Sequence, residues 1–112
     1  MPYITTTTNK EITAEKRAAL VSAYGRAITA LGKGESYLML AFTDRTPMAF
    51  GGKEKDCAMV EVDLFGRASS AQYDDMTARV CDIISDVLGI DGSCVYVKYG
   101  EVDHWGMNGF NF

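Results

Sequence analysis

Two stretches decide the fold: LVSAYGRAITALG (Leu20–Gly32) and MTARVCDIISDVLG (Met76–Gly89). In the first, Leu20, Tyr24, Ala27 and Leu31 advance by 4, 3 and 4 residues, and in the second Met76, Val80, Ile83 and Val87 do the same. That spacing gathers each set on one face of a helix. Both stretches close on Leu-Gly, and glycine readily takes the left-handed conformation that ends a helix. Upstream of the first, Thr13 is placed to act as N-cap, with Glu15 in the opening turn where the helix dipole favours an anion. The first helix therefore runs from there to about Leu31. The second is expected from about Ala71 to Leu88, after a Gly66–Ser70 loop whose serines offer caps.

Working outward, each helix lies between two strand-like runs. Tyr3 to Thr8 is rich in β-branched residues. Tyr37 to Thr43 (YLMLAFT) is nearly continuous apolar sequence, the pattern of a strand covered on both faces. Cys57 to Phe65 alternates, with Ala58, Val60, Val62 and Leu64 facing one way and Met59, Glu61, Asp63 and Phe65 the other. Cys94 to Tyr99 is the last main strand, followed by a loop and short strand in the Gly100–Phe112 tail. Strand–helix–strand thus occurs twice, and residues 1–112 are read as one α/β domain of two βαβ units. Two helices cover one face of a four-stranded sheet. The other face, carrying Tyr96 and Lys98 or their alternates, must meet water or another subunit, and an oligomer is the economical solution.

Composition narrows the partners. The chain has 112 residues, a net charge of −4 and a pI near 4.8, which argue against nucleic acid or an acidic membrane surface. There is no secretory signal pattern and no apolar block long enough to span a bilayer. Three cysteines, Cys57, Cys81 and Cys94, without metal-ligand or CxxC spacing, suit buried thiols in a reducing compartment. The expected location is cytoplasmic. Phosphate loops are absent, since Gly51-Gly52 lacks the following Lys-Ser/Thr spacing, and the lone His104 reads as a surface residue.

The first residues, Met1-Pro2-Tyr3, admit two readings. A small second residue permits removal of Met1, which would leave an N-terminal proline: a rigid secondary amine, near neutral pKa, fit to remove a proton next to a carbonyl. The other reading is a proline starting an edge strand, where no donor is needed.

Pro2, Gly32-Lys33, Pro47-Met48-Ala49-Phe50-Gly51-Gly52, Val95-Tyr96 and Trp105-Gly106-Met107-Asn108-Gly109-Phe110 occur together in this order. The combination resembles the macrophage migration inhibitory factor branch of the tautomerase superfamily over the whole chain. The resemblance implies two pseudo-symmetric βαβ units, a four-stranded mixed sheet with both helices on one face, and a homotrimer with sites between neighbouring subunits. It implies a cofactor-independent keto–enol tautomerase acting on small keto or enol carboxylic acids such as phenylpyruvate. Pro2 would be the acid/base, Lys33 the carboxylate binder, the Phe65 backbone amide a contact to substrate oxygen, and Tyr96 a pocket residue. Tyr37 and Phe112 would line the pocket.

The chain departs from the vertebrate pattern at several of these points. Lys98 stands where asparagine is usual; it either adds a second cation near Pro2 or points away. Phe65 replaces a smaller apolar residue, Met107 replaces a tryptophan, and Val60 replaces the second cysteine of a CxxC. Read from the residues alone, Lys33 is a solvated cation past a helix end and Tyr96 an amphipathic core residue. The family also implies a second role, a cytokine-like ligand for a receptor, secreted without a signal peptide, with a vestigial pocket. A third superfamily chemistry, hydration or decarboxylation, pairs the proline with arginines, and Arg45 and Arg67 match no such role.

Overall fold

The computed structural model describes residues 1–112. The main elements are β1 (Pro2–Thr8), α1 (Ala14–Ala27), β2 (Met39–Thr43), β3 (Ala58–Phe65), α2 (Ser70–Leu88) and β4 (Val95–Val102), then a hairpin of β5 (Gly106–Met107) and β6 (Phe110–Asn111). The sheet order is β2-β1-β3-β4. β1 and β2 are parallel, as are β3 and β4, and the two pairs join antiparallel through β1 and β3. Each parallel pair is bridged by its own helix, so the architecture is the expected pair of βαβ units.

Local chemistry sets the helix ends. The Thr13 hydroxyl accepts from the Lys16 amide, one of the donors a helix start leaves unpaired. Ser69 and Gln72 form a reciprocal capping box at the start of α2. At the far ends, Gly32 and Gly89 hold φ of 72° and 68°, conformations that a side chain would strain. α1 proper stops at Ala27, and Ile28–Leu31 tighten into a 3-10 turn before Gly32. Ser69→Ala removes one half of the capping box and is expected to destabilise the fold by about 1 kcal/mol. Urea denaturation reads it, and an unchanged midpoint would show the cap to be replaced by solvent.

The core lies between the helices and one sheet face. β3 alternates as its sequence predicts: Ala58, Val60, Val62 and Leu64 are buried, whereas Met59, Glu61, Asp63 and Phe65 are half-exposed. Thr6 and Thr8 of β1 are buried too, and their hydroxyls are partnered. Thr6 Oγ1 lies 2.7 Å from the Tyr24 hydroxyl, and Thr8 Oγ1 donates to the Cys57 carbonyl at 2.8 Å. Burial pushes the Tyr24 phenol up to about 12.

Three expectations need correction. In α2 the fully buried set is Met76, Val80, Ile84 and Leu88, while Ile83 and Val87 lie half-exposed on its flank. The sequence offers two adjacent apolar pairs there, and packing on the sheet selects the second member of each. The apolar run Tyr37 to Thr43 is not covered on both faces within the chain. Its strand begins at Met39, occupies the sheet edge and leaves Met39 67% exposed, with Tyr37 in a preceding 3-10 turn and 58% exposed. Finally, Cys94 belongs to a 3-10 turn, and the last main strand extends instead to Val102. All three cysteines are free; Cys57 is buried, Cys81 and Cys94 half-buried.

Candidate functional site

The start of β1 lies in the middle of the sheet rather than at its edge, because β1 is flanked by β2 and β3. Pro2 is buried there, opposite Leu64 of β3. The Phe65 amide, one residue further along β3, donates to the Met1 carbonyl at 2.9 Å. Lys33, just beyond the Gly32 cap, reaches the backbone of the same residue: its Nζ donates to the Phe65 carbonyl at 3.1 Å. Pro2, Lys33 and Phe65, scattered in sequence, therefore meet at the Phe65 backbone.

The Met1 carbonyl is the group bonded directly to the Pro2 nitrogen. It marks where an oxygen held next to that nitrogen would find a backbone donor. Partial burial, and secondarily the Lys33 ammonium, hold the terminal amine below its ordinary value. While Met1 is attached the Pro2 nitrogen is an amide without basicity, and the arrangement gains a base there only when Met1 is removed.

Beside this cluster opens a cavity of about 390 Å³ whose wall includes Pro2, Tyr3, Tyr37, Met39, Asp63 and Trp105. Its lining is predominantly apolar and aromatic, as small-molecule sites tend to be. Tyr37 stands in the wall as expected. Phe112 instead packs on the Phe65 ring, centroids 6.1 Å apart, and its amide donates to the Trp105 carbonyl at 2.9 Å, tying the tail across the site. Sequence reasoning missed Tyr3, Met39 and Asp63. The alternation of β3 already put Asp63 on the face of Phe65, but the pairing of Tyr3 with both Met39 and Asp63 comes from cross-strand register.

Tyr96 and Lys98 lie apart from this cavity. Both project from the exposed face of β4, in register with Met59 and Glu61. Tyr96 packs against Phe50 of the Met48-Ala49-Phe50-Gly51-Gly52 segment, centroids 5.1 Å apart, and Lys55 sits over that same Phe50 ring. Lys98 Nζ bonds Glu61 at 2.8 Å, and that hydrogen-bonded carboxylate raises the lysine's pKa. Within one chain Lys98 is thus a partnered cation rather than a second charge beside Pro2. A separate depression of about 550 Å³, walled by Arg45, Glu54, Lys55 and Asp56, mixes both signs of charge and contains no candidate residue. No helix is long and apolar enough to cross a membrane.

Known proteins share this fold. The structure of Leishmania major MIF2 is similar to this chain with a TM-score of 0.95 and 36% identity, covering 100% of this chain and 97% of that one. A macrophage migration inhibitory factor homologue from Prochlorococcus marinus gives a TM-score of 0.90 at 27% identity, covering 98% of each chain. Among curated sequences, the macrophage migration inhibitory factor homolog of Wuchereria bancrofti is 29% identical over 100% of this chain and 99% of its own length. Residues 1–111 match the sequence profile described as Macrophage migration inhibitory factor (MIF), and the chain belongs to that family.

Proposed function

We propose that the protein is a cofactor-independent keto–enol tautomerase for small keto or enol carboxylic acids of the phenylpyruvate type, assembled as a homotrimer. The observation that carries this reading is the convergence of the Phe65 amide and the Lys33 ammonium beside the Pro2 nitrogen. Once Met1 is removed, Pro2 is a secondary amine one residue on from the Met1 amine that burial and Lys33 lower, and burial and a nearby cation would act on it in the same direction. A base that is neutral near ambient pH is what proton removal next to a carbonyl requires.

The steps follow from the positions. Lys33 leaves the Phe65 carbonyl and takes the substrate carboxylate, a charge-assisted contact that orients the acid. The Phe65 amide, freed from the Met1 carbonyl, donates to the substrate oxygen as negative charge develops there. Neutral Pro2 removes the proton from the enol hydroxyl or from carbon, and the prolinium returns it to the other atom. One group cycles one proton, so the reaction balances without a further reagent.

The trimer rests on what a single chain leaves uncovered. Tyr37, Met39, Tyr96 and Phe110 are each more than half exposed. The uncovered sheet face and the β2 edge form a surface that neighbouring copies would bury. In such an assembly Tyr96, and Lys98 beside it, would reach the Pro2 site from an adjacent subunit.

The test is phenylpyruvate tautomerisation by protein whose intact mass lacks Met1. Processed protein that is inert towards several keto acids would end the proposal. Lys33→Gln is expected to remove about 2 kcal/mol of binding to the carboxylate. That is roughly a 30-fold loss in kcat/KM, carried mainly by KM. A loss confined to kcat would instead assign Lys33 to the proton-transfer step.

A further inference from the structure

We infer that Asp63 makes the cavity beside Pro2 selective by charge: it admits aromatic acids whose far end is neutral or cationic and turns away those carrying a second carboxylate. The inference rests on the tautomerase reading for the placement of the first carboxylate at Lys33.

Within one chain Asp63 is the only acidic or basic side chain in the cavity wall, the rest being apolar, aromatic or glycine apart from the terminal amine; a Lys98 arriving from an adjacent subunit would come already paired with its own Glu61. Its position is set by register. On the uncovered sheet face it stands between Tyr3 of β1 and Gly100 of β4. Gly100 is what makes room for it, since the Asp63 carboxylate occupies the space a Cβ on residue 100 would need. The carboxylate makes no ion pair within the chain: Lys98, near enough on the same face to feel its charge, is bound to Glu61.

Distance supplies the rest of the argument. Asp63 lies two residues before Phe65 on the same face of β3, about 7 Å along the strand. An acid whose carboxylate sits at Lys33 and whose oxygen meets the Phe65 amide extends its body along that face, past Tyr3 and Trp105, to reach Asp63. A hydroxyl or ammonium there would donate to the carboxylate. A second carboxylate would face a like charge in a half-buried, aromatic-walled space, where repulsion is screened less than in water. The expected discrimination is at least about tenfold.

Trp105 is the only tryptophan of the chain and lines the cavity, so its fluorescence reports occupancy without turnover. The test titrates processed protein with phenylacetate, 4-hydroxyphenylacetate and 4-carboxyphenylacetate, none of which has a keto group to tautomerise. Wild type is expected to bind the dianion at least about tenfold more weakly than phenylacetate. In D63N, which keeps the shape of the side chain, and in D63A, the gap should shrink to within about threefold. Circular dichroism confirms that each variant is folded. A wild type that binds both acids alike, or a gap unchanged in the two variants, would overturn the inference. Phenylpyruvate turnover on the same preparation separates the two proposals: turnover without the gap keeps the tautomerase and discards the role of Asp63. A gap abolished by D63N without turnover does the reverse.

Discussion

Pro2→Ala is expected to lower kcat/KM for phenylpyruvate by about 100-fold, the low end of what a positioned acid/base contributes. The low end applies because alanine in second place also permits removal of Met1, leaving a primary amine at the same point of β1. That amine has an ordinary pKa of about 7.7–8.0 and lacks the ring that restricts the orientation of the proline nitrogen. It is a poorer base by position more than by strength. Protein that retains Met1 should fall to background, since its Pro2 nitrogen is an amide and its Met1 carbonyl fills the Phe65 donor. The pH profile adds a sign. Only the neutral amine accepts a proton, so kcat/KM rises with pH through the amine's pKa and then levels. Partial burial, then Lys33, lowers the Met1 amine, and a buried position near the same cation would act in the same direction on the amine left at Pro2. Lys33→Gln removes the second influence and should move the rising limb to higher pH. A Pro2→Ala variant of the correct processed mass, folded and within about threefold of wild type, would show that the base lies elsewhere.

The parts of this site that were legible in sequence are those with a fixed local period or a fixed local chemistry. The alternation of β3 has a period of two, so one buried residue assigns all the others, and Ala58 to Leu64 followed it without exception. The Leu-Gly endings carry their own backbone requirement, and both glycines are left-handed. Pro2 is a candidate from its own chemistry as well as from the family resemblance, Lys33 and Phe65 from the resemblance alone, and the fold brings those three together. What local sequence does not carry is the neighbour across a strand. Whether Lys98 faces an anion, and whether Asp63 enters a cavity, depends on Glu61, Tyr3 and Gly100 arriving in register from distant parts of the chain. The edge position of β2 was hidden for a related reason. A strand that neighbouring copies would cover reads like one covered within its own chain, and YLMLAFT carries no mark to separate the two.

The phase of α2 is the sharpest such ambiguity and can be tested on stability. Ile83-Ile84 and Val87-Leu88 offer two apolar stripes one residue apart, both compatible with a helix following Met76 and Val80. The fold buries Ile84 completely and Leu88 to 2% exposure, and turns Ile83 towards a shallow groove bounded by Arg26 and Arg79. Ile84→Ala should therefore leave a void against the sheet and destabilise by about 2–5 kcal/mol, the range for removing a buried large aliphatic side chain. Ile83→Ala loses only part of that area. Alanine also recovers a few tenths of a kcal/mol of helix propensity, so the net cost should be about 1 kcal/mol or less. In a chain of this size the first change would lower Tm by roughly 10 °C or more and the second by a few degrees. The reverse order would mean that α2 is rotated by about one residue from the packing described, with Ile83 and Val87 against the sheet. That rotation would also carry Tyr73 and Thr77 away from Tyr99. The Tyr99 ring packs tilted against Tyr73, centroids 4.5 Å apart, and its hydroxyl lies 2.7 Å from Thr77 Oγ1. Those contacts fix the phase of the helix independently of the isoleucines. Tyr99→Phe should accordingly weaken the fold modestly, while leaving Ile84→Ala the more damaging of the isoleucine changes.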